Sequence, residues 1–481
     1  MSNRFPTLRQ RINVAKEALP HSPIIQGAAN SSIKFIIDPA VAKTAFANHE
    51  LVNKSVDNGS SSDSDTSSSK NGADNTTSTR TRSIPQVNLE KPTKPTKLLH
   101  HALTNANGDI WRRQRYCVSR AFAVDKALRT SCANYAVEKM MELINKEKQP
   151  SVRCRPCIFS RKRMGVDVRI LAREVAIHTM SRMVLGHARG SNVLVIDSLR
   201  ELVDCTLAPR RDEEFSKVTR TIVECLDRTV RDIVAEIAED GTGSDCLVRR
   251  LLLYEKDPAV EKYITRDEVI GNAHSAMLAG TQTICTVIAG ALSHLAERLD
   301  LQHDLRQGRI SGKDIVMETL RILPPVAGLP RIPTGGDLEL KPNESENDGN
   351  GCCPIQQGQV MVVDLLAFAH AQPLGVDDAL SLLENTSNST VCTFKFDPGN
   401  RTKSQAQPWG IGKRKCPAGI ISTECISTVI EALAKSGITW EFANPHVDSV
   451  GKNEFGGWMK SISYRPTLSY SAPIRINFHV D

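Results

Sequence analysis

The chain has 481 residues, 40% apolar and 24% charged, enough to bury a large core and far from a disordered composition overall. Lys and Arg outnumber Asp and Glu by 61 to 54; a net charge of +7 fits a basic patch and argues against a nucleic-acid-coating protein, so no nucleic acid is expected as a partner. The 13 cysteines are odd in number and irregular in spacing, and no signal peptide stands at MSNRFPTLRQ, which predicts a reducing compartment and mostly free thiols.

The first strand-like run is IKFIID, residues 33–38. Ser55 to Arg82 is nearly pure Ser, Asn, Asp and Thr, cannot bury enough apolar surface to order itself, and reads as a surface insertion. The runs NESENDGNG from Asn343 and NTSNSTV from Asn385 are shorter versions. Phe215, Val218, Ile222, Leu226, Val230, Ile233 and Ile237 recur at spacings of three and four, an amphipathic helix. Thr265-Arg266-Asp267-Glu268 is a capping box that opens a helical stretch to about residue 299, roughly 50 Å long. Within it, MLAGTQTICTVIAGAL comes nearest to the roughly 18 apolar residues of a membrane span, but polar groups interrupt it. A long buried helix is the better reading, and no transmembrane anchor is expected in this chain. Ser311 to Leu323 forms another helix, stopped by Pro324-Pro325. GQVMVV (358–363) and the tail IRINFHV add the remaining strands. The class is mainly α with a small β part, without internal repeats, and residues 1–481 read as a single domain with the low-complexity insertion 55–82.

The stretch WGIGKRKCPAGI, residues 409–420, concentrates glycines and cations around one cysteine. Pro417 suits the first position of a helix and Gly437 its stop, which predicts a helix from 417 to about 436 with Cys416 at its N-terminus. There the helix dipole, Lys413, Arg414 and Lys415 favour the thiolate, and Gly410 and Gly412 permit a tight turn aiming N–H groups at the sulfur. A thiolate serves as nucleophile or as metal ligand. No His lies between Ala371 and Asn444 to act as a nearby base, though a distant one could reach it in space. The CxxC of Cys154 and Cys157 has no second pair for zinc. A single thiolate without close co-ligands fits the proximal ligand of a haem iron.

The loop Trp409-Gly-Ile-Gly-Lys-Arg414-Lys-Cys416-Pro-Ala-Gly419 resembles the cysteine signature of the cytochrome P450 family, Phe-Gly-x-Gly-x-Arg-x-Cys-x-Gly, with Trp for Phe and Ala418 in the place of the last Gly. Further stretches match in the family's order: WRRQR resembles Trp-x-x-x-Arg, AGTQT (Ala279 to Thr283) the oxygen-activating Ala-Gly-x-(Asp/Glu)-Thr, and ETLR the Glu-x-x-Arg pair of Glu318 and Arg321. FKFDPGNR resembles Phe-x-Pro-x-Arg with Arg401 one residue late. The series is specific jointly and weak piece by piece.

The resemblance implies a P450 fold with a long central helix over a buried haem b, ligated by Cys416, in a single catalytic domain. It implies propionate contacts from Trp111, Arg115, Arg331 and Arg414, with Gly412 in the cofactor loop. Thr283 would orient protons toward oxygen, and Gln282 stands where relatives usually carry an acid. Glu318 and Arg321, three apart, would form a buried pair rather than a solvated one. Gly280 would let dioxygen approach the helix, the alternative being a close helix crossing. Val326, Ala327, Leu329 and Met277 would line the pocket. The expected activity is a haem-thiolate monooxygenase acting on an apolar small molecule and O2. Electrons would come from an NADPH-dependent flavoprotein reductase or a ferredoxin docked on Arg112-Arg113 and Lys413–Lys415. The rivals are a haem-thiolate isomerase or dehydratase acting on peroxides, and a non-catalytic haem sensor. The expected location is cytosolic or the cytoplasmic side of a membrane.

Overall fold

The computed structural model describes residues 24–26, 34–36, 51–52, 98–123, 126–148, 165–207, 213–240, 244–255, 263–333, 355–366, 396–398, 407–448, 457–464 and 467–480, with Ala42 and Asp337. The insertion at 55–82, Cys154, Cys157, Arg401 and the runs from Asn343 and Asn385 lie outside the described residues.

The helices are α1 (Gly108–Phe122), α2 (Lys126–Lys148), α3 (Val168–Leu185), α4 (Val193–Leu207), α5 (Glu213–Glu239), α6 (Leu247–Leu252), α7 (Arg266–Glu297), α8 (Leu299–Arg306), α9 (Gly312–Ile322), α10 (Gly419–Lys435) and α11 (Pro445–Asp448). The strands are β1 (Ile24–Gln26), β2 (Lys34–Ile36), β3 (Leu51–Val52), β4 (Val166–Asp167), β5 (Gly328–Pro333), β6 (Met361–Asp364), β7 (Ile438–Phe442), β8 (Ile462–Tyr464), β9 (Leu468–Tyr470) and β10 (Arg475–Val480). The protein is thus mainly α with small sheets, as its sequence predicts.

The axis of the molecule is α7, 32 residues long, or about 48 Å. Its start is the predicted capping box: the Thr265 hydroxyl accepts from Glu268 N–H at 3.3 Å, and the Glu268 carboxylate accepts from Thr265 N–H at 2.9 Å. It stops at Glu297, and α8 follows after Arg298 alone. By length and composition α7 could cross a membrane; here it is the core helix, with α3 along it and α9 and α10 against it. Helix α10 lies between α2 and α9. Gly312 makes the α9–α10 crossing close, since a Cβ there would stand 2.4 Å from the Ser427 carbonyl oxygen. In α5 the apolar stripe is only partly used: Leu226, Val230, Ile233 and Ile237 are buried, while Val218 is half exposed.

The larger sheet runs β1-β2-β6-β5-β3. Its β2–β6 pair is parallel and the others antiparallel, with Arg331 of β5 facing Met361 of β6. A second sheet, β4-β10-β7, and the β8–β9 hairpin close the other side.

Candidate functional site

The cysteine loop is a tight, self-bonded turn. Gly410 N–H donates to Gln407 C=O at 2.8 Å, Lys415 N–H to Gly412 C=O at 3.1 Å, and Cys416 N–H back to Trp409 C=O at 2.8 Å. Gly410 (φ +79) and Gly412 (φ +67) occupy the left-handed region this path requires. Because these bonds use the backbone up to Cys416, the helix begins at Gly419 rather than at Pro417. The expected helix start is thus corrected by two residues, and Cys416 stands in the turn before the helix rather than directly at its N-terminus. Trp409 explains the shifted glycine: a Cβ on Gly419 would lie 3.1 Å from its ring, so the small residue is needed at 419 and Ala418 is tolerated beside it.

The Cys416 side chain is open to a groove of about 750 Å³, walled by Arg129 of α2, Lys313 and Met317 of α9, and Ile420 of α10. Surrounding protein pushes the thiol upward from its ordinary pKa, while the Ala418 N–H, Arg115 and Lys415 pull it down without overcoming burial. A metal ion at the sulfur would add positive charge that favours the thiolate. Among the described residues no three His, Cys, Asp or Glu side chains gather at one point; what surrounds the loop is a set of arginines.

Arg115 of α1 is pulled down by burial, with the Cys416 sulfur opposing. Arg414 is lowered to about 10, by burial first and then by Arg331 and Arg115. Arg331 is also lowered to about 10, by burial, and donates to its neighbour's carbonyl at 2.8 Å. Arg414 lies over the Trp111 ring at 4.5 Å and donates to Ala106 C=O at 3.0 Å and Asn107 Oδ1 at 2.9 Å. Trp111, Arg115, Arg331 and Arg414 are thereby brought to the Cys416 loop. Burial lowers all three guanidiniums and the other two lower Arg414 further, an arrangement suited to a dianion.

On α7, buried residues flank an open window: Ala279 is exposed and Ala276, Leu278, Gly280, Gln282 and Thr283 are half-buried. The Thr283 hydroxyl donates to Ala279 C=O at 2.9 Å, which leaves its lone pairs to accept. Thr286 donates to Thr283 C=O at 2.9 Å, and Tyr470 hydroxyl to Thr286 C=O at 2.9 Å.

Gly280 is approached by Met180 of α3, whose Cε would lie 2.4 Å from an added Cβ, which is the helix crossing weighed beside the dioxygen reading. Two expectations need correction. Met277 and Ala327 are buried at 0% and 1% exposure and line no cavity, whereas Val326 and Leu329 are half-buried. Arg113 is unavailable for docking: it grips Glu268 at 2.6 and 2.8 Å, donates to Tyr263 C=O and stacks on the Tyr263 ring. Glu318 and Arg321, by contrast, form the buried pair expected, with two bonds of 2.8 and 2.7 Å. Glu318 also accepts from Asp397 N–H at 2.9 Å, which joins the Phe396–Pro398 segment to α9. Sequence reasoning missed Asn107 and the Asn272–Gln114 contact (3.1 Å), which join segments far apart in the chain.

No family model matches the chain. A curated relative, Cytochrome P450 109 of Bacillus spizizenii, is 33% identical over 79 residues, 16% of this chain, so the match spans about a fifth (19%) of that protein. Solved structures match nearly end to end at low identity. P450BioI, solved with a hexadec-9Z-enoic acid-ligated acyl carrier protein, covers 98% of both chains at 14% identity and TM-score 0.64. A zebra fish cytochrome P450 solved with progesterone covers 99% of this chain and 100% of its own at 14% identity and TM-score 0.67. The P450 CYP154C4 from a Streptomyces species covers 98% and 95% at 16% identity and TM-score 0.64.

Proposed function

We propose that this chain, which has the cytochrome P450 fold, is a haem-thiolate monooxygenase forming one catalytic domain. In this reading it inserts one atom of O2 into an apolar small molecule and releases the other as water, with two electrons from an external donor. The observation that carries the reading is the meeting of Arg115, Arg331 and Arg414, each lowered by burial, at a self-bonded loop that presents Cys416.

The residues fit haem b. Cys416 would be the thiolate ligand, and Trp111 with the three arginines would hold the propionate edge. When bound, the haem supplies a redox iron whose thiolate ligand favours O–O cleavage. Around it the chain's own groups set orientation and proton traffic. Gly410 and Gly412 give the loop its shape, and Trp409 packs against Gly419 beneath it. In this reading the α7 window would face the reacting side. There Thr283, its proton engaged by Ala279 C=O, accepts a hydrogen bond and steadies a water that delivers the next proton. Gln282 can hold such a water but cannot exchange a proton through an ionised form. Lys413 and Lys415 are exposed and suit an acidic flavoprotein reductase or ferredoxin, with Arg113 excluded from that surface.

The optical spectrum of the reduced protein with carbon monoxide tests the reading. The wild type is expected to give the thiolate-type band and Cys416→Ser to lose it. Retention of that band at full haem content in the serine variant would remove Cys416 from the role. Substrate-dependent oxygen consumption with a reductase, absent with hydroperoxide alone, separates the monooxygenase from a peroxide isomerase.

A further inference from the structure

Asn107 directly precedes α1, in extended backbone at φ −133 and ψ 170. An asparagine there ordinarily turns its side chain onto the first N–H groups of its own helix. This one makes no such cap. Its Oδ1 accepts instead from Arg414 at 2.9 Å, across 307 residues of sequence, and Ala106 C=O accepts from the same nitrogen at 3.0 Å. The strap 98–107 is fastened on its other side to α7. Leu103 N–H donates to Asn272 Oδ1 at 3.0 Å, and the Thr104 and Ser275 hydroxyls lie 3.4 Å apart. Asn272 also holds Gln114 of α1. The strap therefore spans from the central helix to the cysteine loop, and Asn107 is its contact with Arg414.

A helix-preceding residue that gives up its local bond for a distant one departs from the local rule, and such departures mark function more often than chance. Arg414 stands among like charges, Arg331 and Arg115, which favour its swinging out to water. An amide oxygen and a backbone carbonyl hold it in place without neutralising it. We propose that Asn107 is a positioning residue: a neutral latch that fixes the Arg414 guanidinium over Trp111 while keeping its charge available for a carboxylate of the cofactor. The inference rests on the haem reading above and extends it to a residue outside the recognised motifs.

The neutrality of the latch gives a two-sided test. Asn, Asp and Ser cap helices about equally well. Asn107→Ser keeps the capping ability but cannot reach Arg414. Asn107→Asp keeps the reach but consumes the charge in an ion pair. Haem transfer from purified holoenzyme to an excess of an apo-globin acceptor, followed by absorbance, is expected to be about tenfold faster for both variants, as fits the loss of one bond to a charged group. In an Arg414→Ala background Asn107→Ser should add nothing further. Wild-type transfer rates in both single variants, or an undiminished effect of Asn107→Ser without Arg414, overturn the proposal. A wild type that takes up no haem at all overturns the functional reading itself, and with it this inference, before any variant is compared.

Discussion

Two of the arginines on helix α1, Arg113 and Arg115, stand two residues apart with opposite fates. Arg113 turns to the start of α7 and meets Glu268 in a two-pronged ion pair, which raises its pKa; the hydrogen bond to that carboxylate is the main cause. Arg115 turns to the cysteine loop, where burial lowers its pKa and Arg414 is a like-charged neighbour. Glu318 and Arg321 form a second two-pronged ion pair on α9, whereas burial lowers Arg331 and Arg414 as it lowers Arg115. An arginine that serves the fold brings its carboxylate from the same chain. In the proposed reading the arginines lowered by burial are kept for a bound anion, whose charge would offset the cost of their desolvation.

The largest expected effect tests the paired set. Glu318→Ala removes the two-pronged carboxylate partner of Arg321, whose side chain is 15% exposed, and should cost about 3–5 kcal/mol in urea unfolding. Glu318→Gln should lose less, because its oxygen can still accept from Asp397 N–H.

The same region should respond to acid. His294, stacked on Phe396 at 4.2 Å, is lowered from 6.5 to about 3 by burial and then by Arg321. Its neutral form is therefore the folded one, and below about pH 6.5 the unfolded chain binds the extra proton. This contribution is complete above pH 6.5 and is lost as pH falls toward 3. His294→Phe should flatten the stability–pH curve across that window; an unchanged slope would remove His294 as the cause.

The ligand-facing set should behave in the reverse way. Arg115→Met is expected to leave unfolding of the haem-free chain within about 1 kcal/mol of wild type while haem transfer to an acceptor speeds up about tenfold. If Arg115→Met destabilises the chain as much as Glu318→Ala does, the distinction between the two sets collapses.

The smallest effect is expected at Gln282, which sits in the α7 window and is proposed to bear on proton delivery. Gln282→Asp or Gln282→Glu should raise product formed per NADPH consumed, with unfolding near that of wild type and haem content matched. Coupling already near complete in the wild type, and unimproved by either acid, would put the proton route elsewhere. A carboxylate held protonated by its apolar surroundings would give the same unimproved result.

What the sequence disclosed was local. The capping box at Thr265, the three-residue spacing of Glu318 and Arg321, and the glycine turn before Cys416 need only neighbours in the chain, and all three are present. What the sequence did not disclose is what packs from elsewhere. Gly280 is a helix glycine by sequence, and only the fold brings Met180 against it. Arg113 reads as half of an exposed RR pair until Glu268, 155 residues on, takes it up. Met277 shares α7 with the window residues but turns to the core face, because 3.6 residues per turn separates it from Ala279. Asn107 reads as a helix cap, and nothing nearby signals its bond to Arg414.

The span of that bond also bears on how the protein is made. Arg414 and Asn107 are 307 residues apart, and Arg169 reaches Tyr470 across 301. Contacts of such separation reward the chain only after a long loop has closed, whereas capped helices such as α7 and α9 can form from local sequence. The ring of arginines is therefore expected to close late in folding, after the helical core. In refolding from urea, far-UV ellipticity should return before the capacity to take up haem, with the cofactor admitted at the step that joins the two ends of the chain.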